Sequence, residues 1–191
     1  FRKIYPDMKI VLQEYSSANL MEMLRRQEVD VILATMDKRD SDYEYQLVKS
    51  CETVVAVEKN HPLITQAVSR EGFRYPWIEL VKCAIEENVM LLPDSKFRQE
   101  ADELYACNQL IPNIGYQISG TRTGLACVAC NQAVMITLDH MIFNSLFSDR
   151  ISPLSVGEKP LHTELNLVFM KDTVFQKEIQ KLYKIICKQV K

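Results

Sequence analysis

The stretch that decides the fold is residues 8–35, MKIVLQEYSSANLMEMLRRQEVDVILAT. Residues 8–14 form a short apolar run between polar residues, which predicts a β-strand. Residues 29–35 are almost continuously apolar or β-branched, which predicts a second strand covered on both faces. Between them, apolar residues such as Leu20 and Leu24 recur at helical spacing. The stretch is therefore predicted to be a βαβ unit with parallel strands and a right-handed crossover.

Two adjacent serines precede the predicted helix. Ser16 or Ser17 is the natural N-cap, because a hydroxyl oxygen accepts a hydrogen bond from an unpaired amide of the first turn. Asn19 and Glu22 could form the capping pair instead. A helix start also carries a partial positive charge and suits a carboxylate ligand. The local sequence alone favours the plain cap.

The alternation of strands and helices continues to the end of the chain. Further strands are predicted twice within 43–63 and at 88–95, 113–119, 133–138 and 163–171. Further helices are predicted at 75–85, 95–108, 125–131 and 173–191. This order predicts an α/β fold with open parallel or mixed sheets covered by helices.

Composition and charge exclude several classes of protein. The 191 residues are 47% hydrophobic and 25% charged, as in an ordinary globular protein. The net charge of −2 gives no overall positive field for nucleic acid or an anionic membrane. No apolar run approaches the roughly 18 residues of a membrane span, and no export leader is recognisable. We expect a cytoplasmic protein and, because the chain opens at Phe1 without a Met, a piece of a longer one.

The cysteines are scattered, which predicts free thiols in a reducing compartment rather than a disulfide framework. There are six: Cys51, Cys83, Cys107, Cys127, Cys130 and Cys187. Cys127 and Cys130 have the CxxC spacing of a redox or zinc site. Zinc would need a second pair or nearby histidines, and His61, His140 and His162 are far apart in the sequence. We expect the pair to pack toward the core, and we expect no metal and no cofactor.

No enzyme motif is recognisable. The sequence has no Ser-His-Asp order, no glycine-rich phosphate loop and no paired carboxylates, and it contains only five glycines. We therefore expect no catalysis.

The N-terminal stretch resembles the opening of the effector-binding domain of LysR-type transcriptional regulators. The matching positions are Phe1, Tyr5, Pro6, Glu14, Ser16 or Ser17, Leu20, Leu24 and Asp30. HPL at 61–63 and TGLACVACNQAVMITL at 123–138 match later stretches of the family, so the resemblance covers essentially the whole chain. Tyr15 replaces a common glycine, and Asn131 opens the stretch that replaces the family's G-x-G turn. Asparagine can still adopt the left-handed conformation there.

The resemblance implies a two-lobed fold similar to type 2 periplasmic binding proteins, each lobe a mixed sheet flanked by helices. Lobe I would comprise residues 1–86 and 160–191, and lobe II residues 87–159. A small metabolite, for instance a carboxylate or an amino acid, would bind in the cleft between the lobes and modulate a DNA-bound regulator. The winged helix-turn-helix that binds DNA in this family is absent from the chain, which would form a homodimer or tetramer.

The resemblance also places the effector contacts. They are Ser16, Ser17, Asn19 and Thr35 from lobe I, and Pro93, Ser95, Ser119 and Thr121 from lobe II. Lys96, Arg98 and Arg122 could offset the charge of an anionic effector, whereas Asp94 would repel one. A peroxide-sensing subgroup carries its reactive thiol in the lobe II turn, where this chain has lysine. A thiol switch is therefore disfavoured, although Cys107 follows at the end of the next helix.

Two rival functions share this fold. One is a free-standing solute-binding protein of a transporter, against which the missing leader and the missing lipidation cysteine argue. The other is an enzyme similar to prephenate dehydratase, which would need a catalytic threonine motif that we do not find. The regulator domain is the predicted function.

Overall fold

The computed structural model describes residues 1–35, 39–93 and 95–190, without the side chain of Lys96. The chain divides into two compact units. Unit 1 comprises Phe1–Ser50 and Thr163–Lys191, and unit 2 comprises Cys51–His162. The chain therefore passes between the units twice. No helix in the described ranges is both long and apolar enough to cross a membrane.

Helices and strands alternate along most of the chain, which confirms the predicted α/β class. The helices are α1 Ser17–Arg25, α2 Pro62–Gln66, α3 Leu80–Ala84, α4 Lys96–Cys107, α5 Thr121–Ala129, α6 Asp139–Phe143 and α7 Gln176–Gln189. The strands are β1 Val31–Thr35, β2 Tyr43–Glu58, β3 Glu87–Leu91, β4 Asn113–Ile118, β5 Met135–Leu138, β6 Ile151–Ser155 and β7 His162–Met170.

Unit 1 is built around the pairing of β1 with β7. The two strands are antiparallel, from Val31 opposite Phe169 to Thr35 opposite Leu165. On its other side β7 neighbours β2. Apolar side chains of α1 pack on this sheet in one cluster, which includes Leu24, and those of α7 pack in another. Both helices are amphipathic, so burial of one face fixes them to the sheet.

The predicted strand at 8–14 is wrong. These residues lie outside every helix and strand, and their apolar side chains are exposed, Leu12 to 90%. An apolar run becomes a strand only where a neighbour supplies backbone partners. In the described residues β1 pairs only with β7, so the predicted parallel βαβ unit is not formed. β1 is also not covered on both faces, because Leu33 is 41% exposed.

Unit 2 is organised by the second half of β2. This part pairs antiparallel with β5 on one side and with β6 on the other, so that Val54 lies opposite both Thr137 and Ser155. β3 and β4 form a separate parallel pair. A parallel bridge from Asn88 to Val134 links β3 to the segment before β5.

Residues 51–86 pack in unit 2, so the first boundary of the compact units differs from the predicted lobe boundary at residue 86. Val55, Leu63 and Ile78 share one buried cluster with Met90 and Val134. The reason is that apolar side chains of β2 and of the segment after it pack against apolar side chains of β3 and of the segment that leads into β5.

The HPL motif starts a helix. Nδ1 of His61 accepts a hydrogen bond from the backbone N–H of Leu63 at 3.3 Å, and Pro62 occupies the first helical position. Proline suits that position because its missing N–H would be unpaired there anyway. The chain between residues 43 and 58 is one continuous strand rather than two.

Two predicted helices have different bounds. The helix predicted at 75–85 is confined to α3, because residues 75–79 run extended, with Trp77 bridging Val68 and Ser155. α5 begins at Thr121, four residues before the predicted helix start at residue 125. Asn131 has a φ of 54°, as predicted for the residue in place of glycine.

Asn88 is a buried polar residue whose hydrogen bonds join three elements. Its Nδ2 donates to the carbonyl oxygens of Cys83 and Glu86, at 3.0 and 2.8 Å. Its Oδ1 accepts from the Tyr105 hydroxyl at 2.7 Å. Because these bonds replace water, an amide that is only 1% exposed is tolerated in the core between α3, β3 and α4.

Gly124 allows α5 to approach β5 closely. A Cβ atom there would lie 2.5 Å from Met135 Sδ and 2.8 Å from Ile118 Cδ1. We expect Gly124→Ser to lower the free energy of unfolding by about 2 kcal/mol, because it overpacks the core and buries a hydroxyl. The matched control is Gly120→Ser, whose Cβ meets nothing within 4 Å. Urea denaturation of both variants tests the difference, and equal midpoints would contradict it.

Candidate functional site

The start of α1 carries three of the predicted effector residues. Oγ of Ser16 accepts a hydrogen bond from the backbone N–H of Asn19 at 3.3 Å, which confirms a serine as the N-cap. Ser17 is the first helical residue and is half-buried, whereas Ser16 and Asn19 are exposed. The Ser16 hydroxyl keeps its proton for a further acceptor, because capping uses only the oxygen.

Glu22 does not form the alternative capping pair with Asn19. Its carboxylate instead accepts from Arg25 at 2.6 and 2.8 Å and contacts Arg26 at 2.7 Å. Together with the charge of both guanidinium groups, the hydrogen bond from Arg25 lowers the pKa of Glu22 to about 2. The group is exposed, so the geometry marks a surface ion-pair cluster rather than part of a binding site.

The lowered pKa of Glu22 gives a pH dependence with a defined sign. The folded chain binds the proton less tightly than the unfolded one, so the contribution of Glu22 to stability is complete above about pH 4.5 and is lost as the pH falls through about 2. We expect NMR titration of the Glu22 carboxyl carbon to give a midpoint near 2. Arg25→Gln should raise that midpoint, and an unchanged midpoint would contradict the assigned cause.

Thr35 belongs to the same edge of unit 1 as the start of α1. It is the last residue of β1, pairs with Leu165 across the sheet and is 8% exposed. Helix α1 packs against β1 after a short connection, so the chain reverses direction between them. The helix therefore begins at the edge at which the strand ends.

The four effector residues predicted for lobe II lie in the two turns that follow β3 and β4. These strands are parallel, with Leu91 opposite Ile118 at their carboxyl ends. The register continues into the turns, because the N–H of Leu92 donates to the Ile118 carbonyl at 2.9 Å. The carboxyl edge of this pair therefore collects one polar set: Pro93, Ser95, Ser119 and Thr121.

Two helices begin at this carboxyl edge without a side-chain cap. Ser95 is the N-cap of α4, but its hydroxyl makes no capping hydrogen bond. Gly120 is the N-cap of α5 and has no side chain to offer. The first-turn amides of both helices thus receive no hydrogen bond from their N-cap side chains, and both helix dipoles place partial positive charge there. Such an edge suits an anionic group.

Arg98 stabilises this edge and is not a free charge for an effector. Its Nε donates to both carboxylate oxygens of Asp102 at 2.9 Å, and its Nη1 donates to the Leu91 carbonyl at 2.9 Å. The spacing of Arg98 and Asp102, four residues apart on a helix, is the signal from which this pair could have been predicted. Arg122 is exposed. Asp94 and the side chain of Lys96 lie outside the described residues.

The structure holds all six cysteines as free thiols. Burial raises the pKa of Cys83 to about 12, so this thiol is inert at neutral pH. Cys127 packs against the core of unit 2, but Cys130 is exposed because α5 ends at Ala129. The expectation that both members of the CxxC pair pack toward the core is therefore wrong for Cys130. Cys107 is exposed at the end of α4.

Two cavities in the described residues lie away from the predicted effector residues. Unit 1 has a cavity of about 190 Å³ near the C-terminal end of α1, lined in part by Leu24, Asp30 and Phe175. Unit 2 has one of about 10 Å³ beneath α4. None of the eight predicted residues lines either cavity. The eight residues lie instead at the start of α1, at the end of β1 and just after β3 and β4.

Comparison with known proteins identifies the class. The family model described as the LysR substrate binding domain matches residues 1–189. The chain belongs to this family. It is 27% identical over 171 residues to the uncharacterized HTH-type transcriptional regulator YybE of Bacillus subtilis (strain 168). The aligned region covers 90% of this chain and 54% of YybE. The chain thus spans about half the length of this relative.

Solved structures show the same fold. The regulatory domain of CcmR from Synechocystis PCC6803, in complex with 2-PG, superposes with a TM-score of 0.76 at 14% identity, covering all of this chain and 87% of that one. The effector-binding domain of BenM with its effector benzoate gives a TM-score of 0.70 at 16% identity, with coverages of 98% and 82%. The effector-binding domain of QuiR in complex with shikimate gives a TM-score of 0.68 at 19% identity, covering 98% of this chain and 83% of that one. The type 2 periplasmic-binding-protein-like fold predicted from the sequence is confirmed.

Proposed function

We propose that this chain is the ligand-sensing and oligomerising part of a transcriptional regulator, and that its effector is a small metabolite with a carboxylate or another anionic group. One observation carries the proposal: α4 and α5 both begin, without a side-chain cap, at the carboxyl edge of the parallel β3–β4 pair. In α/β folds ligands bind at the carboxyl ends of parallel strands. The relatives with bound benzoate, shikimate and 2-PG support an acidic small molecule.

We further propose that the edge of unit 1 offers contacts to a small-molecule effector. Ser16, Ser17 and Asn19 present two hydroxyls and an amide at the start of α1, and Thr35 ends the adjacent strand. Binding would favour one of two pre-existing arrangements of the regulator, since a ligand shifts an equilibrium by its difference in affinity for the two states. Among the described residues, no hydrogen bond joins a nucleophile to a base at either edge, and the proposal includes no catalysis.

The proposal assigns DNA binding to a helix-turn-helix segment outside these 191 residues, consistent with the name and greater length of YybE. The net charge of −2 supports this, because a protein surface that binds DNA is usually basic. A cytoplasmic homodimer or tetramer is the assembly proposed.

A thermal-shift screen tests the proposed function. Organic acids, amino acids and aromatic carboxylates are added to the purified chain, and each hit is compared with its uncharged amide. We expect at least one carboxylate to raise the melting temperature, by about 3 °C or more at a concentration of 100 times its Kd, and its amide to have little effect. Stabilisation by the amides alone would contradict the proposed anion site.

A further inference from the structure

Three metal-binding side chains of different kinds meet inside unit 2. The ligand atoms of Cys51, Asp139 and His140 all lie within 4.8 Å of one another. Cys51 and Asp139 have no exposed surface, and His140 is 9% exposed. β2 and β5 are antiparallel with Thr53 opposite Leu138, so continuing that register beyond the end of β5 brings residue 51 opposite residue 140. None of the three is a predicted effector residue.

The surroundings of Asp139 hold its carboxylate in place. Its Oδ2 accepts from Arg74 Nη1 at 2.5 Å and from the Tyr75 hydroxyl at 2.8 Å. Its Oδ1 accepts from the backbone N–H of Glu52 at 3.2 Å, and a carboxylate oxygen has more than one acceptor position. In metal sites, such outer hydrogen bonds orient the ligating group.

Glu52, the residue after Cys51 in β2, carries a second buried carboxylate. It is 1% exposed, and its Oε1 accepts from the Ser155 hydroxyl at 2.5 Å. Its Oε2 is buried with no hydrogen-bond partner in the part of the chain that the structure describes. A buried, unpartnered carboxylate oxygen is costly unless a cation or a donor reaches it.

We propose that Cys51, Asp139 and His140 bind one divalent transition-metal ion, of which Zn²⁺ is the best match. A thiolate, an imidazole and a carboxylate together suit Zn²⁺, whereas Mg²⁺ and Ca²⁺ prefer oxygen ligands. Ligand atoms around tetrahedral zinc are about 3.3–3.8 Å apart, as follows from its usual bond lengths. The distances between the ligand atoms of Cys51, Asp139 and His140, which reach up to 4.8 Å, therefore have to shorten by about 1 Å when the ion binds. The fourth position is left to water.

Binding of the ion would release one proton. The Cys51 thiol loses its proton to solvent as the sulfur–metal bond forms, and His140 binds through a ring nitrogen that carries no proton.

Cobalt substitution tests the proposal on the 191-residue chain. The chelator-treated protein is titrated with Co²⁺ and then with Zn²⁺. We expect one Co²⁺ per chain with a sulfur-to-cobalt charge-transfer band, which Zn²⁺ removes by displacement. Cys51→Ser should abolish the band and weaken Zn²⁺ binding at least tenfold. The matched control is Cys83→Ser, which changes another fully buried thiol in unit 2. This variant should retain the charge-transfer band and the Zn²⁺ affinity.

Two outcomes would overturn the metal site: no charge-transfer band in the unmodified chain, or a band that persists in Cys51→Ser. The second would place the metal on another thiol, such as exposed Cys130. Circular dichroism of each metal-free variant establishes that it is folded before titration. A His140→Gln variant gives a second test, because it should weaken binding while leaving the thiolate band in any residual complex.

Discussion

Replacing Asp139 by alanine is expected to lower the free energy of unfolding by about 3 kcal/mol in the metal-free chain. The carboxylate is fully buried and accepts hydrogen bonds from Arg74, Tyr75 and the backbone of Glu52. Its removal leaves the Glu52 amide and the Tyr75 hydroxyl without their acceptor. Arg74 is partly exposed and can regain water, so it contributes less to the loss.

Urea denaturation measures this effect, with two comparison variants. Asp139→Asn keeps an oxygen for the Glu52 amide but loses the charge, and we expect an intermediate midpoint. Asp149→Ala removes an exposed carboxylate from the same unit and should change stability by less than about 0.5 kcal/mol. If Asp139→Ala and Asp149→Ala had the same midpoint, the buried hydrogen bonds would not stabilise unit 2 as described.

The second large effect concerns effector affinity. For a carboxylate found in the screen, we expect Ser95→Ala combined with Thr121→Val to raise the Kd about 100-fold or more. Each hydroxyl lost from a charged acceptor costs about 1.5 kcal/mol or more. The Ser95 hydroxyl makes no capping bond, so its loss should affect binding far more than stability. Isothermal titration calorimetry measures the Kd, and Ser148→Ala, an exposed serine of the same unit, is the control.

Unit 1 permits a matched comparison between capping and binding. We expect Ser17→Ala to weaken the same carboxylate about tenfold without removing the cap. Ser16→Asn preserves capping, because asparagine caps as well as serine, and so reports on the hydroxyl alone. If neither substitution changed the Kd while Ser95→Ala with Thr121→Val did, the effector would be bound by unit 2 without these serines.

The sequence was sufficient where local chemistry decides the structure. The helix periodicity after residue 16, the serine cap and the strand that follows are local features, and α1 and β1 formed as predicted. The left-handed Asn131 was predictable for the same reason. The segments after β3 and β4 were predicted less well, because the predicted strand ran on to residue 95 and the second helix was predicted only from residue 125.

Prediction failed where the structure depends on distant partners. Residues 8–14 have the composition of a strand, but composition does not supply a neighbouring strand. The cluster around Asp139 escaped prediction because Cys51 and His140 are brought together only by the register of β2 and β5.

We expect this domain to bind a small anionic metabolite without converting it. The most direct measurement is ligand NMR during a titration with the best carboxylate of the screen. We predict saturable binding at one ligand per chain, weakened by Ser95→Ala with Thr121→Val, and ligand signals that stay unchanged over hours. Consumption of the ligand would contradict binding without catalysis. Saturation that those substitutions leave unaffected would contradict the proposed binding residues.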